Sequence, residues 1–325
     1  MTTKLYSGLI TNIGDILEQG RQQAVISVNS ILVKTYWQIG KEIVKYEQKG
    51  KEKAEYGSKL LDNLSTDLKI KYGKGFSRRN VLDMRRFYLT YKNWQTVSAN
   101  LSWSHYVQLI GIDTEEERTF YEKQCILEGW STRDLSRQID SGLFYRLMST
   151  KNKTKQQLSK NGQTIEKPKD IIKDPYVLEF LNIPQNHKFS EKELETRIIS
   201  KIQQFLLELG LGFTFVKRQY RLPIGEKNYY IDLVFYHRIL RCFVLIDLKI
   251  GNVKPQDIGQ MNMYLNYFKK EETGKEDNCP IGIILATKKN EIDLEYALGG
   301  ITNKLFVSKY KLYLPTKEEL KKIID

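Results

Sequence analysis

Cysteine and histidine are scarce in this chain of 325 residues, with three of each. The cysteines are odd in number and widely spaced, which excludes a disulfide framework and a cysteine-rich zinc site. Cysteines and histidines form no compact cluster for a metal, and no local motif indicates catalysis by a nucleophile and a histidine. These residues are Cys125, Cys242, Cys279, His105, His187 and His237.

Long apolar runs are also lacking. Charged residues are interspersed throughout, and no apolar run approaches the roughly 20 residues needed to cross a bilayer. Residues 1–20 lack the basic start, apolar middle and small-residue cleavage site of a secretion signal. We therefore expect a soluble cytoplasmic protein with no membrane partner.

Acidic residues are outnumbered by basic ones, 39 against 52, which gives a formal net charge of +13. This excess favours polyanionic partners, nucleic acid above all, because cationic side chains gain affinity by releasing counterions from phosphates. The alternative interpretation is a basic surface without a specific partner.

The length of the chain exceeds the usual size of one domain and predicts two. Between them, residues 151–173 carry seven lysines against one glutamate and one aspartate. This composition is typical of a flexible basic linker, which either touches a phosphate backbone or only tethers and solubilises. The predicted domains on its two sides are residues 1–150 and 174–325.

Residues 1–150 show helical periodicity almost throughout. Apolar residues between Ile10 and Leu32 recur near helical spacing and predict a long amphipathic first helix. Ser77 is the predicted N-cap of a helix that runs to Tyr91. Short helices joined by tight turns are typical of a helix-turn-helix or winged-helix arrangement, so we expect an all-helical or winged-helix-like domain for recognition or interaction. The long first helix is also compatible with assembly into a homo-oligomer.

The helix that follows Ser77 carries four arginines interleaved with methionine and aromatic residues. Such a helix can lie on a phosphate backbone. Alternatively, the arginines form an ordinary solvated face and the aromatic residues a core stripe. The residues to which we assign nucleic-acid binding are Arg78, Arg79, Arg85, Arg86 and, from the second domain, Tyr230.

After the linker, the pattern changes to alternating helices and strands. Ser190 and Glu193 form a capping box for a helix that runs to Leu209. Pro255 starts another helix between the third and fourth strands. The predicted strands are 213–220, 229–237, 242–250, 280–287 and 305–313. This αβββαβ order predicts a mixed sheet flanked by helices, which makes the chain α/β (α+β) overall.

The candidate chemistry lies in two adjacent strands. If they form a hairpin centred on residues 239–240, Asp232 lies directly opposite Asp247. Tyr230 then lies opposite Lys249, and these four side chains share one face of the sheet because side chains alternate along a strand. The apolar residues predicted to share the opposite face are Ile231, Leu233, Phe235, Val244, Ile246 and Leu248.

Two carboxylates opposed on one face are destabilising unless something neutralises them. One solution is a shared proton, which raises one pKa. The other is a divalent cation such as Mg²⁺, which needs only one or two carboxylates and keeps several waters. Lys249 points at the same place, where it can orient or deprotonate a metal-bound water. The combination suits hydrolysis of a phosphodiester.

Two further residues fit this picture. Glu195 lies in the apolar stripe of the 190–209 helix, where a carboxylate needs a partner that metal-bound water can supply. The alternative is that Glu195 only borders the stripe near the helix start, where the dipole favours an acid. Gln260, on the helix after the lysine strand, is a weaker candidate for a hydrogen bond to the same water or to a phosphate.

These segments resemble a known family. Residues 174–300 are similar to the nuclease domain of YhcG-type PD-(D/E)XK proteins, and residues 13–149 resemble that family's N-terminal domain of unknown function. The segments that carry the resemblance include YGKGFSRRNVLDMRRFY, ELETRIISKIQQFLLELGLGFTFVKRQYRL, YYIDLVFYHRILRCFVLIDLKIG and KPQDIGQMNMYLNYF. The resemblance implies a restriction-endonuclease-like fold and metal-dependent nuclease chemistry.

Carried over by position, the family pattern implies metal-binding acids at Asp232 and Asp247, the lysine at Lys249, the helix acid at Glu195 and the helix glutamine at Gln260. The predicted metal ligands also include the backbone carbonyl of Leu248, with Glu195 acting directly or through water. Where the family usually has Glu-Leu-Lys, this chain has Asp247-Leu248-Lys249, and its acid is one methylene shorter.

The first functional hypothesis is a DNA endonuclease that depends on Mg²⁺ or Mn²⁺, with RNA left open as a substrate. The alternative is a catalytically weak nuclease fold that acts as a nucleic-acid-binding or assembly module. A third hypothesis is a hydrolase of a non-nucleic phosphoester. Target specificity, cleavage pattern and pathway are left open by the sequence.

Overall fold

The computed structural model describes residues 2–49, 56–149, 162–184 and 187–316, together with Leu158 and Glu319. Contacts divide the chain into two compact units, Met1–Leu135 and Ser136–Asp325. This boundary lies earlier in the chain than the predicted end of the helical domain at residue 150. Within the described ranges, every helix is too short or too polar to cross a bilayer.

The first unit is helical in its described residues and has no strand there that could form a wing. The all-helical form of the prediction is therefore the one observed, and the long first helix is confirmed. Ser77 is the N-cap of the third helix and accepts a hydrogen bond from the Asn80 N–H at 3.2 Å. The helices are α1 (Thr2–Lys49), α2 (Tyr56–Tyr72), α3 (Arg78–Thr90), α4 (Trp103–Leu109) and α5 (Glu115–Glu128), with a 3-10 turn at Trp94–Thr96.

The later half of α1 packs against α3. Val81, Met84 and Phe87 of α3 are fully buried. Gly40 of α1 allows close approach of the two helices, since a Cβ at this position would lie 2.0 Å from the carbonyl oxygen of Met84. A larger residue at position 40 would therefore push the helices apart.

The second unit is built around a six-stranded mixed sheet with the strand order β1-β6-β5-β4-β3-β2. The predicted αβββαβ order is confirmed. The strands are β1 (Tyr176–Val177), β2 (Phe213–Ile224), β3 (Lys227–His237), β4 (Cys242–Asn252), β5 (Ile281–Lys288) and β6 (Lys304–Lys311). The helices are α6 (Thr132–Asp140), which begins just before the boundary, α7 (Leu143–Ser149), α8 (Glu191–Ser200), α9 (Ile202–Leu209), α10 (Pro255–Tyr267) and α11 (Glu291–Leu298).

Two apolar layers cover the sheet. On one side, Leu194 and Ile198 of α8 and Phe205 of α9 pack against the inner residues of β3 to β5. On the other side, Met261 and Leu265 of α10 form a second core. The predicted helix 190–209 starts at its Ser190 cap but is interrupted at Lys201, so it consists of α8 and α9.

The end of the predicted linker is packed rather than flexible. Ile171 and Ile172 are buried, and the buried Lys173 ammonium donates a hydrogen bond to the Glu208 carbonyl. A flexible tether is therefore wrong for residues 162–173, because apolar and charged side chains here enter the second unit. The more basic part of the predicted linker, residues 151–157 and 159–161, lies outside the described residues.

A buried cluster of charges lies beside this segment. The Glu208 carboxylate, fully buried on α9, accepts hydrogen bonds from Arg146 and from the Val177 N–H at 3.0 Å. Arg137 lies 3.3 Å from the same carboxylate. Burial alone raises the pKa of Glu208, but the charges of Arg146, Lys173 and Arg137 outweigh it and lower the pKa to about 2. Glu208 is thus held ionised in the interior.

Candidate active site

The β3–β4 hairpin has the predicted register. Leu233 pairs with Ile246 and His237 with Cys242, as expected if Asp232 faces Asp247. Backbone pairing with β4 ends at Leu233, and the next link is made by a side chain. The Asp232 carboxylate accepts a hydrogen bond from the Leu248 N–H at 2.8 Å. Asp232 therefore lies where the two strands begin to separate.

The neighbouring strand β2 is irregular beside this point. Its register against β3 shifts between Phe215 and Lys217, and Gln219 has a left-handed backbone with φ of 47°. Such bulges bend and twist a strand locally. The predicted common face is wrong at Ile231, which packs in the α10 core, whereas Leu233 packs in the opposite core.

Asp247 and Lys249 form a close pair at the opening of the hairpin. The Lys249 ammonium lies 2.8 Å from the Asp247 carboxylate, which is only 4% exposed. Burial and the Asp232 charge raise the pKa of Asp247 to about 7, against the opposing charge of Lys249. Burial lowers the pKa of Lys249, but the Asp247 charge outweighs it and the net shift is upward. The lysine therefore stays cationic.

Glu195 reaches the same place from α8 and is 3% exposed. Gln219 connects it to the hairpin, because its amide donates to Glu195 at 2.7 Å and to Asp232 at 3.1 Å. Burial raises the pKa of Glu195; the Asp232 charge adds to this, and the Gln219 hydrogen bond opposes it. Glu195 Oε1 lies 3.3 Å from Arg218 Nε but makes no hydrogen bond. The predicted helix acid thus has one buried oxygen without a hydrogen-bond donor.

Gln260 and Tyr230 make no direct hydrogen bond to the acidic pair among the described contacts and are linked through Tyr264. The half-buried Gln260 amide donates to the hydroxyl of Tyr264, which donates in turn to the Tyr230 carbonyl at 3.2 Å. Burial raises the pKa of Tyr264, and the Asp247 charge adds to the shift. Gln260 thus approaches the acidic pair through Tyr264. The Tyr230 side chain is 49% exposed.

Several residues of the site were missed by sequence reasoning. Gln219 and Arg218 lie on the irregular part of β2, and no local sequence signal marks a left-handed glutamine in a strand. Glu191 accepts a hydrogen bond from the Ile250 N–H at 3.1 Å and lies 3.8 Å from Lys249. Tyr264 was accessible to prediction, because it lies one helical turn after Gln260 on the same face of α10.

The donor set fits a hard divalent cation. In the described part of the chain, no group of three or more His, Cys, Asp or Glu side chains has a metal-binding arrangement. Mg²⁺, however, needs only one or two carboxylates and retains waters. Asp232 lies near enough to Asp247 for its charge to raise the pKa of Asp247, and Glu195 Oε1 is buried without a hydrogen bond. Two adjacent carboxylates and this oxygen suit a hard cation and its waters.

The four arginines of α3 differ in their partners. Arg78 pairs with Asp62 at 2.5 Å, and Arg85 pairs with Glu47 through two contacts of 2.8 and 2.9 Å. Arg79 is 87% exposed, 4.0 Å from Asp83, and Arg86 is exposed. Arg79 and Arg86 are therefore the two most available for an anionic partner.

Two family models match the chain. A model described as the YhcG PDDEXK nuclease domain matches residues 169–325, and the DUF1016 N-terminal domain matches residues 12–146. A protein of Escherichia coli (strain K12) with the name "Putative nuclease YhcG" is 37% identical over 352 residues. The alignment covers 98% of this chain and 93% of that protein.

Similar solved structures are more distant. A "repair endonuclease from Pyrococcus abyssi" is 20% identical with a TM-score of 0.27, over 41% of this chain and 50% of that one. A structure titled "EndoMS-dsDNA2 complex" is 15% identical with a TM-score of 0.27, over 42% and 51%. The chain spans about half the length of these solved proteins.

Proposed function

Because the chain belongs to the YhcG family of PDDEXK nucleases, we propose that it is a metal-dependent endonuclease that hydrolyses phosphodiester bonds in DNA. Nucleases of this class typically use divalent metal ions, and Mg²⁺ or Mn²⁺ is the proposed cofactor of this chain. RNA is the alternative substrate. The cytoplasmic location stays a prediction.

The main support for the proposal is that Asp232, Asp247 and Lys249 lie close together where the backbone pairing of β3 and β4 ends. Placing two carboxylates in contact at a largely buried position costs stability. The cost is offset when a cation binds between them. A structural role would be served better by a balanced pair, so the arrangement favours metal binding.

The proposed metal ligands are Asp232, Asp247 and the Leu248 carbonyl, with Glu195 directly or through water. A divalent cation bound there would lower the pKa of a water and stabilise negative charge on the phosphate. The Leu248 backbone borders the acidic pair, since its N–H donates to Asp232. The buried Glu195 Oε1 is available to accept a hydrogen bond from a water.

The protein's own groups orient the reactants. Lys249 is expected to hold the attacking water as a hydrogen-bond donor rather than as a base, because its raised pKa keeps it protonated. Gln219 fixes Glu195 relative to Asp232. Gln260 supports the site through Tyr264, whose hydroxyl it contacts.

The proposed contacts to DNA are electrostatic. Arg79 and Arg86 on the solvated side of α3 are expected to bind phosphates, with Arg78 and Arg85 contributing if they leave their present ion pairs. Tyr230 is a candidate for a contact near the cleavage site. The net charge of +13 would add a salt-dependent attraction to all of these.

The test is cleavage of a supercoiled plasmid by the full chain with Mn²⁺ or Mg²⁺. Asp232→Asn should lower the cleavage rate by roughly 1000-fold while DNA binding is retained. Asp277→Asn is the matched control, since Asp277 binds the Tyr236 hydroxyl instead. Equal rates for the parent and Asp232→Asn would overturn the site assignment.

The alternative function, a binding or assembly module, predicts a different result. DNA would bind to the parent protein and remain intact at every metal concentration. A phosphomonoesterase would instead release phosphate from a small aryl phosphate and leave the plasmid uncut. The plasmid, a filter-binding assay and the small substrate together distinguish the three functions.

A further inference from the structure

The first half of α1 exposes an unusual number of apolar side chains. Eleven large apolar residues between positions 6 and 32 are between 38% and 68% exposed. They are Tyr6, Leu9, Ile10, Ile13, Ile16, Leu17, Val25, Ile26, Val28, Ile31 and Leu32. Scattered exposed apolar residues are normal, but a contiguous set of this size marks an interaction site.

A groove lies further along the same helix. Between α1 and α2 there is a cavity of about 640 Å³. Its walls are almost entirely apolar, and six of the lining residues are Ile39, Ile43 and Tyr46 of α1 and Leu60, Leu64 and Leu68 of α2. Residues 35–46 of α1 thus contribute one wall of a concave apolar surface.

With the exception of Ile26, the exposed residues lie on the same side of α1 as the groove. About 18 residues make five helical turns, so residues at that spacing point in the same direction. Ile10, Val28 and Tyr46 are related in this way, as are Leu17 and Thr35, another residue of the groove. A convex apolar strip, which we define as Tyr6, Ile10, Ile13, Leu17, Val28 and Ile31, therefore continues directly into the groove.

We propose that this face binds a second copy of the chain, with the two α1 helices antiparallel. In this arrangement the apolar strip of each chain packs into the α1–α2 groove of the other. Both contacts are identical under a two-fold axis, as in an isologous dimer. A parallel arrangement would instead place groove against groove and leave both unfilled.

The available area is sufficient for a stable dimer. Burying one Leu or Ile side chain completely removes on the order of 100 Å² from water. The ten of these side chains on the side of the groove, all but Ile26, are about half exposed and offer roughly 500 to 600 Å² per chain. The walls of the groove add to this, and a standard interface buries about 800 Å² per partner.

The charge pattern favours a protein over a membrane. Only Asp15, Glu18 and Arg21 are charged between positions 6 and 32. Membrane-surface helices carry many lysines and arginines on their polar face, whereas the polar face here is rich in Gln, Asn and Ser. At 100° per residue, both acids point well away from the apolar strip.

The first experiment measures the mass of the full chain by sedimentation velocity between about 1 and 100 μM. A dimer is expected for the parent. Ile13→Lys with Leu17→Lys should weaken dimerisation at least about 100-fold, because four lysines would enter the interface. Ile70→Lys is the matched control, since Ile70 is 80% exposed on α2 and does not line the groove.

A second experiment tests the orientation. In a Cys279→Ser background, which removes the exposed cysteine, one protein carries Ile13→Cys and another Glu42→Cys. A short bismaleimide should join the two proteins to each other in preference to joining like with like. The circular dichroism of every variant must match that of the parent.

Three results would overturn the proposal. The parent could remain a monomer at 100 μM, which would mean that the strip is covered within one chain or binds another partner. The lysine pair could leave the dimer intact, which would place the interface elsewhere. A preference for 13–13 cross-links would show parallel helices and rule out the exchange of strip and groove.

Discussion

Two buried carboxylates of the second unit have pKa values shifted in opposite directions. The pKa of Glu208 is lowered to about 2, whereas that of Asp247 is raised to about 7. Burial raises both, so the difference comes from their neighbours. Glu208 faces three cationic side chains, whereas Asp247 faces another carboxylate and one lysine.

The two clusters differ as a cluster that supports the fold differs from one with the proposed catalytic role. The Glu208 charge is neutralised by Arg146, Arg137 and Lys173, and Glu179 offsets part of their positive charge; the cluster fixes the segment before β1 to α9. The cluster around Asp247 is left acidic. A perturbed carboxylate with an unbalanced neighbour is typical of a functional site, whereas a balanced cluster is typical of a fold.

Removing the Glu208 charge should have the largest effect. Glu208→Gln removes the buried carboxylate that Arg146, Lys173 and Arg137 surround and should cost about 3 to 5 kcal/mol of unfolding free energy. Urea denaturation measures this loss. Glu193→Gln is the control, because its partly exposed pair with Arg197 should contribute at most about 1 kcal/mol. Similar losses of unfolding free energy in Glu208→Gln and Glu193→Gln would show that the buried Glu208 cluster stabilises the fold no more than an exposed ion pair does.

The two carboxylates should also give opposite dependences on pH. The folded pKa of Glu208 lies below its ordinary value, so its stabilisation of about 3 kcal/mol is present above pH 4.5 and lost as the pH falls toward 2. The folded pKa of Asp247 lies above its ordinary value. Without metal, its destabilisation is therefore absent below pH 4 and grows as the pH rises to 7.

The measurement is unfolding free energy against pH in EDTA for the parent, Glu208→Gln and Asp247→Asn. Glu208→Gln should lose less unfolding free energy relative to the parent as the pH falls. Asp247→Asn should gain more unfolding free energy relative to the parent as the pH rises toward neutral. Parallel profiles for the two variants would show that the clusters do not differ as described.

Neutralising the site should stabilise the metal-free protein. Asp247→Asn removes one of two adjacent carboxylates and should raise the unfolding free energy by about 1 to 3 kcal/mol at pH 8, while cleavage is lost. Lys249→Met is the opposite control, since it leaves both acids without their cation and should destabilise. A destabilised Asp247→Asn protein would assign the pair a structural role.

The smallest expected effect concerns Gln219. Gln219→Met removes the amide between Glu195 and Asp232 and should weaken Mn²⁺ binding about 10-fold, as measured by calorimetry. Gln203→Met, at an exposed position of α9, is the control and should bind Mn²⁺ like the parent. An unchanged Mn²⁺ affinity in Gln219→Met would show that the Gln219 hydrogen bonds do not contribute to metal binding.

Local patterns predicted the elements that depend on local physics. Alternation in β3 and β4 gave the hairpin register, and the Ser77 and Ser190 caps gave two helix starts. The acidic pair could be predicted from the sequence because charged residues are uncommon within apolar strands. Whether these residues bind metal and cut DNA stays a prediction.

Long-range features could not be predicted in the same way. The bulge of β2 between Phe215 and Lys217, the left-handed backbone of Gln219 and the packing of Ile231 in the α10 core depend on how the strands fit together. The Glu208 cluster joins residues more than 60 positions apart, Arg146 among them, and no local periodicity reports such a contact. The buried end of the predicted linker has the same cause, since its lysine binds α9.

The end of the β3–β4 ladder also has a consequence for engineering. The Asp232 side chain occupies the place where a backbone carbonyl would continue the ladder toward Leu248. Extending the β3–β4 backbone pairing beyond Leu233 would add ladder hydrogen bonds and strengthen the sheet. The same change would close the gap that the carboxylates border, so selection for thermal stability alone would favour a more stable protein without the proposed metal site.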